Sequence, residues 1–328
     1  MQLSKEETKH PDLLFMRFQV QSLELGTKSG FIIHNPQTFE SPIKIDVGKV
    51  FVLNSLYSSN FVIYLGESEE ESSENQVTIF HLQSQQAIDT LSFKKPILNL
   101  QQNKELLILV FPEKVKIFRF SDRKLMKKLP IKSKKGICEL TRGEKNILAF
   151  PETTQKGNVR LFDGKKLENL GIINAHETQI SCLAFNSNGT MLATTSQKGT
   201  TVKIFDVKSK QMIVKFKRGR NMAIIYSICF SENGKFLALT SNRGSLHVFK
   251  IPEKTSSGSI TRLFGKPLSV SFSVCKLLKN IPTICSFSED GSQIYAIDSN
   301  GKFSFFSFNS RNCKETALTK TIELFENN

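Results

Sequence analysis

The sequence predicts an all-β chain folded as a seven-bladed β-propeller. Two internal stretches align with each other, an apolar pair recurs in seven segments, and helical periodicity is scarce. Residues 180–207 read ISCLAFNSNGTMLATTSQKGTTVKIFDV and residues 225–251 read IYSICFSENGKFLALTSNRGSLHVFKI. Phe185 aligns with Phe230, Gly189 with Gly234, Leu192-Ala193 with Leu237-Ala238, Ser196 with Ser241, Gly199 with Gly244 and Phe205 with Phe249. The offset is 45 residues and becomes 44 after a one-residue slip. Strands of alternating apolar residues at that period, joined by Gly or Asn turns, belong to four-stranded propeller blades.

Weaker copies run along the whole chain. The second pattern, an apolar pair closing a strand, falls at Ile33-His34, Ile79-Phe80, Ile117-Phe118, Leu161-Phe162, Ile204-Phe205, Val248-Phe249 and Phe305-Phe306. Seven endings imply seven blades, and the long final step places an insertion between Phe249 and Phe306. The runs Leu106–Phe111 and Gln293–Ile297 suit strands better than helices. A length of 328 residues ordinarily suggests two domains, but a ring of blades overrides that prior. The expected organisation is a polar lead at 1–11, one propeller at 12–308 with a lengthened loop at 252–268, and a short C-terminal segment at 309–328. The chain has no Trp, so the Trp-Asp signature of typical WD repeats is missing. Leu161-Phe162-Asp163 and Ile204-Phe205-Asp206 are its nearest echoes, and the propeller is of a degenerate WD-repeat type.

Composition narrows the partners. With 45 Lys+Arg against 30 Asp+Glu the formal charge is +15, which calls for an anionic partner: nucleic acid, an acidic membrane or an acidic protein. The lysines of Lys124–Lys128 and Lys132–Lys135 are equally well solubilising loop residues. The acidic run from Glu67 to Glu74 reads as a disordered loop between strands. Six cysteines (138, 182, 229, 275, 285, 313) lack C-x-x-C pairing. Cys138, Cys182, Cys229 and Cys285 fall on corresponding strands of successive repeats and read as small core residues in a reducing compartment. No signal peptide opens the chain and no apolar stretch reaches 18 residues, so any membrane contact is expected to be peripheral.

Chemistry for catalysis is not expected. The sequence lacks a G-x-x-x-x-G-K-[ST] loop, a G-x-G-x-x-G turn after a strand, His pairs at i, i+4 and zinc-spaced Cys clusters. Its five histidines (10, 34, 81, 176, 247) are scattered over separate repeats. No cofactor or metal is implied.

One constellation does point to anion chemistry. Lys217 and Arg218 lie in Phe216-Lys217-Arg218-Gly219, between the two best-matched repeats. Consecutive side chains on an extended backbone point to opposite sides, so the pair can serve two separate anion pockets. Around it, residues 171–308 resemble the PROPPIN family of phosphoinositide-binding propellers. The family's Phe/Leu-Arg-Arg-Gly motif reads here Phe216-Lys217-Arg218-Gly219, followed by Ile225-Tyr226-Ser227. Ala175-His176, Leu192–Thr200, Thr240–Phe249 and Ser271–Leu277 look like further family segments, and Leu25–Phe31 resembles the first-blade signature.

The resemblance implies two shallow rim sites for phosphatidylinositol 3-phosphate and phosphatidylinositol 3,5-bisphosphate. Site one takes His176, Ser196, Thr200, Lys203 and Lys217; site two takes Arg218, Ser241, Ser245 and His247. In the repeat alignment Lys203 falls opposite His247 and Thr200 opposite Ser245. Hydroxyls beside cations bind phosphate oxygens directionally. It also implies a bilayer-dipping loop at 252–268, with Ile260, Leu263 and Phe264 at its tip and Arg262 and Lys266 beside them. A monomeric effector follows, bound to phosphoinositide-containing membranes and to autophagy-related proteins through propeller loops. It would be cytoplasmic and peripheral on preautophagosomal, endosomal or vacuolar membranes, with no specific nucleic acid. Several positions depart from the family pattern: Lys217 and Lys203 replace Arg, Met222 stands where a basic residue is usual (Arg220 is nearby), and Ile224 replaces an acid. Lys lacks the bidentate fork of Arg, so site one is expected to be the weaker. The alternative is a WD-repeat scaffold binding acidic proteins or RNA without lipid specificity.

Overall fold

The computed structural model describes residues 1, 10, 12–19, 21–56, 60–68, 71–132, 135–252, 268–269, 271–312 and 316–325. Among them every regular element is a β-strand, and the strands form seven sheets, the blades of a seven-bladed β-propeller. No helix of the described residues is long and apolar enough to cross a membrane.

The chain divides into two compact units. The first carries blade 1 (β1 Leu13–Phe18, β2 Leu23–Thr27, β3 Gly30–His34, β4 Ile43–Asp46), blade 2 (β5 Lys49–Ser55, β6 Phe61–Ser68, β7 Glu71–His81, β8 Gln86–Ser92) and blade 3 (β9 Asn99–Gln102, β10 Leu106–Val110, β11 Lys114–Arg119, β12 Leu125–Pro130). The second carries blade 4 (β13 Glu139–Leu140, β14 Ile147–Pro151, β15 Gly157–Asp163, β16 Glu168–His176) and blade 5 (β17 Ile180–Phe185, β18 Met191–Ser196, β19 Thr201–Asp206, β20 Met212–Lys217). It also holds blade 6 (β21 Ile225–Phe230, β22 Phe236–Ser241, β23 Ser245–Lys250, β25 Ser273–Lys276) and blade 7 (β26 Thr283–Phe287, β27 Gln293–Asp298, β28 Lys302–Ser307, β29 Ala317–Glu323). All seven apolar pairs picked out in the sequence lie on the third strand of a blade.

Burial explains the sequence pattern. The second strand of a blade is buried on both faces, as in β10 (LLILV) and β22 (FLALTS), which are buried at every position. The third strand alternates, as in β11 and β19, and the outer strands β8 and β29 are largely exposed. The core therefore lies between blades. Ala193, Ile204, Val214 and Phe216 of blade 5 pack with Ile225, Leu237, Leu239 and Phe249 of blade 6, and Phe236, Leu246 and Val248 pack with Phe287, Ile294 and Phe306 of blade 7. Cys182, Cys229 and Cys285 lie on the first strands β17, β21 and β26, whereas Cys138 immediately precedes β13; Cys138 and Cys285 are buried, and Cys182 and Cys229 are partly so. The hydrogen bond to Cys285, and then burial, raise the Cys229 thiol well above its ordinary pKa, so it stays protonated. Cys313 lies outside the described residues.

Three segments differ from the sequence expectation. Most of the acidic run is strand: β6 and β7 pair out to Ser68 and Glu71, so the backbone of Glu67–Ser68 and of Glu71–Glu74 is strand. Cross-strand bonding and the 2.7 Å ion pair from Lys49 to Glu67 offset the charge repulsion that argued for disorder. The region after residue 308 supplies β29, the outer strand of blade 7, which pairs with β28 from Lys302–Glu323 to Ser307–Ala317. Its TALTKTIE pattern is that of an exposed edge, which composition does not distinguish from a tail. The insertion falls inside blade 6, between β23 and β25. Its described part, β24 (Leu268–Ser269), pairs parallel with β20, giving blade 5 a fifth strand. Residues 253–267, with Ile260, Arg262, Leu263, Phe264 and Lys266, lie outside the described residues.

Phe216 is 3% exposed and stacks on Phe249 of blade 6, centroids 4.8 Å apart and rings 21° from parallel. Phe216→Ala is expected to destabilise the protein by about 3–5 kcal/mol, the usual cost of emptying a buried aromatic site. A shift of the chemical denaturation midpoint measures it, and a change below about 1 kcal/mol would contradict this packing.

Candidate functional site

The Phe216 stack holds the end of β20 between blades 5 and 6, and the two residues after it part company. Lys217 pairs in register with Thr201 of β19 and is exposed, and its ammonium has no partner among the described residues. Arg218 turns inward and is only 9% exposed. Its backbone N–H donates to Thr200 O at 2.8 Å, its Nε to Gly199 O at 2.9 Å and its Nη2 to Asn221 O. Nη1 keeps no partner among the described residues. Gly199 (φ +60°) is required here, because a Cβ would lie 1.9 Å from Ala223 O.

On the Lys217 side the sheet gathers cations. Lys203 of β19 faces Lys215 of β20, and Thr201 faces Lys217, so all four share one face of blade 5. Lys203 Nζ donates to Ala175 O at 2.5 Å, beside His176 at the end of β16. His176 Nε2 lies 2.9 Å from Thr194 Oγ1. Burial, then the Lys203 charge, pushes the imidazole down to about 4. Burial and Lys215 also lower Lys203. The carboxylate at this edge, Glu177, pairs loosely with Lys198 at 3.6 Å and is itself almost fully exposed. Adjacent like charges are unfavourable until an anion joins them. Ser196 closes β18, 5% exposed, with its carbonyl taking the Gly199 N–H at 2.8 Å.

On the Arg218 side the groups are hydroxyls and an imidazole. His247 of β23 has Nε2 2.9 Å from Ser245 Oγ and Nδ1 2.7 Å from Ser271 Oγ, and its ring runs parallel to that of Phe249. Burial, then the Arg218 guanidinium, lowers its pKa to about 4. Burial and Arg243 lower that of Arg218. Ser241, paired with Ser245 across the β22–β23 ladder, holds its Oγ buried with no hydrogen-bond partner among the described residues. A hydroxyl left so costs about 1–3 kcal/mol, which a phosphate oxygen would offset.

The structure thus brings His176 to Lys203 and Arg218 to His247. Strand register changes one equivalence. Val202 pairs with Thr195 as Leu246 pairs with Thr240, so the counterpart of Ser245 is Thr201 and not Thr200. The turn 197–200 is one residue longer than 242–244, the slip visible in the alignment. Thr200 instead lends its carbonyl to the backbone N–H groups of Arg218 and Gly219. Three residues escaped sequence reading. Lys215 required knowing that it faces Lys203; the i, i+2 spacing to Lys217 was the available signal. Lys276 pairs with Ser245 as Lys217 pairs with Thr201, the same position one blade on. Ser271 reaches His247 because the insertion returns along Lys217, with Ser269 in register beside it, before entering blade 6.

The fold is that of a seven-bladed β-propeller with a duplicated, cation-bearing edge. A family model described as PROPPIN matches residues 14–263, and the chain belongs to that family. It is 26% identical over 347 aligned positions to Autophagy-related protein 18 of Dictyostelium discoideum, covering 95% of this chain and 93% of that one. It is 29% identical over 245 positions to WD repeat domain phosphoinositide-interacting protein 1 of Homo sapiens, covering 72% of this chain and 54% of the human protein, and so spans about half of that relative. The structure of KlAtg21 in complex with the coiled coil of AgAtg16 matches over 95% of this chain and 99% of that one at a TM-score of 0.80 and 18% identity, a likeness of fold.

The two imidazoles predict a pH dependence. Their pKa values, about 4 in the folded chain, lie below the ordinary 6.5. The unfolded chain therefore binds more protons between those values, and stability falls as pH drops from about 6.5 to 4. His34, also at about 4, contributes likewise. Replacing His247 with Gln should reduce the slope of unfolding free energy against pH by up to about 1.4 kcal/mol per pH unit in that window. Denaturation series from pH 7 to 4 measure it; an unchanged slope would contradict the depressed value.

Proposed function

We propose that this chain is a peripheral, non-catalytic membrane effector that binds phosphatidylinositol 3-phosphate and phosphatidylinositol 3,5-bisphosphate at two rim sites and brings autophagy or endosomal trafficking proteins to the membrane. The observation that carries this reading is the repeat of one arrangement in adjacent blades. A hydroxyl and a cation or imidazole recur at Thr201/Lys203 and Ser245/His247, and a lysine recurs at Lys217 and Lys276. The cations of the first cluster press on each other and the second cluster holds an unsatisfied hydroxyl. Both features favour a multiply charged phosphate ester.

Site one is composed of His176, Ser196, Thr201, Lys203, Lys215 and Lys217; site two of Arg218, Ser241, Ser245, His247, Ser271 and Lys276. The printed names of the human and Dictyostelium relatives, phosphoinositide interaction and autophagy, support the assignment. The complex of KlAtg21 supports a coiled-coil partner. The loop at 252–268 would add an apolar anchor through Ile260, Leu263 and Phe264, flanked by Arg262 and Lys266.

Vesicle flotation tests the reading. Vesicles of equal charge should retain the protein when they carry 3-phosphorylated inositides and release it when they carry phosphatidylserine alone. Equal binding to both, fading steeply with salt, would favour the scaffold for acidic proteins or RNA. In titrations with soluble headgroup, Arg218→Ala should lose more affinity than Lys217→Ala, because the lysine contributes a point charge without a fork. The reverse order would overturn the ranking of the sites. A bound phosphate stabilises the imidazolium forms of His176 and His247, so affinity should rise as pH falls from about 7 to 5. A flat profile would show that neither imidazole meets the ligand.

A further inference from the structure

At the end of blade 6 that carries site two, three large apolar side chains stand in solvent. Met222 is 60% exposed, Ile224 58% and Leu278 53%. Single exposed apolar residues are ordinary. These three come from neighbouring segments laced to one turn, 242–244. Asn242 Oδ1 accepts the Ile224 N–H at 3.0 Å, the Asn242 N–H returns to Ile224 O at 3.0 Å, and Asn280 N–H donates to Asn242 O at 2.9 Å. Arg243 donates from Nε and Nη2 to Met222 O at 3.0 and 2.8 Å. The apolar side chains are therefore displayed on a pinned backbone.

The charge around them has one sign. Residues 217–230, 240–250 and 271–283 contain no Asp or Glu, and they supply Arg220, Arg243 and Lys279 beside the three apolar residues. The Cβ position of Gly244 lies 2.8 Å from Lys279 Cγ, which seats that lysine against the same turn. An apolar centre bordered by cations, with acids excluded, fits the interface of an anionic bilayer: the apolar tips enter the acyl boundary and the cations stay at the headgroups. An acidic protein would equally attract the cations, but only the lipid reading links this surface to Arg218, four residues from Met222 in the chain and bonded to Asn221 O.

We infer that Met222, Ile224 and Leu278 form a membrane-inserting wedge beside site two, separate from the loop at 252–268. The inference rests on the phosphoinositide reading and adds a second point of apolar contact.

The absence of Trp from the chain permits a direct test. Met222→Trp introduces the sole tryptophan, and its emission is read with phosphatidylcholine/phosphatidylserine vesicles carrying a few per cent phosphatidylinositol 3-phosphate, and with soluble inositol 1,3-bisphosphate. A blue shift with vesicles and none with the soluble headgroup is expected. A Met222→Ser/Ile224→Ser variant should bind those vesicles at least about tenfold more weakly, from the lost apolar burial. Its affinity for inositol 1,3-bisphosphate should equal that of the wild type. A variant that floats as well as wild type, or a Trp whose emission is unmoved on bound vesicles, overturns the wedge and leaves the phosphoinositide reading intact. Wild-type protein that binds neither vesicle nor headgroup overturns both. Because the substituted positions are exposed, a melting temperature equal to wild type verifies that the variant is folded.

Discussion

The contact on which the site depends is the stacking of Phe216 on Phe249. The end of β20 lies between β19 and the short β24, and the ring stack fixes it against blade 6 as well. With Phe216 buried between blades 5 and 6, backbone alternation leaves Lys217 no choice but to stay on the exposed side. Arg218 must then leave the strand and turn toward blade 6. The hydrogen bonds of Arg218 to Gly199 O and Asn221 O complete the turn, and the positive-φ glycine makes room for it. One apolar burial thereby sorts two neighbouring cations into two electrostatic environments.

Those environments are unlike in character although alike in position. The blade 5 cluster is rich in ammonium groups that repel each other, with His176 held neutral by burial and by Lys203. The blade 6 cluster is built from hydroxyls around His247, with one guanidinium arriving from the preceding blade. Its lysine, Lys276, sits where Lys217 sits in blade 5, while Leu277 takes the place of Arg218, its N–H bonded to Gly244 O as that of Arg218 is to Thr200 O. The second cluster thus depends on its neighbour for its arginine, whereas the first draws on blade 4 for its histidine. Duplication of the blade provides the scaffold, and borrowing across blade boundaries completes each cradle.

Much of the fold was legible in the sequence for a specific reason. Third strands such as β11 and β19 alternate in burial, and all seven pairs picked out in the sequence fall on third strands. Two second strands, β10 and β27, were also visible as the runs Leu106–Phe111 and Gln293–Ile297. What stayed hidden was structure whose sequence is polar. The strand at Glu71–Glu74 and the outer strand Ala317–Glu323 form through backbone pairing to a partner already in place, and that partner is not encoded locally. Within the candidate site, the residues that alignment could pair were identified. Lys215, Lys276 and Ser271 were missed because only cross-strand register and the path of the insertion bring them near, and Thr201 was displaced to Thr200 by a turn one residue longer than its repeat.

By itself, the sequence determined the repeat, the basic character and the adjacency of two cations after a buried aromatic. These follow from covalent order and from the alternation of side chains along a strand. Only the tertiary structure decided which face each cation serves, which lysines oppose one another and which hydroxyl is left without a partner. Those depend on register between strands and on burial between blades, and both arise from contacts among residues far apart in the chain.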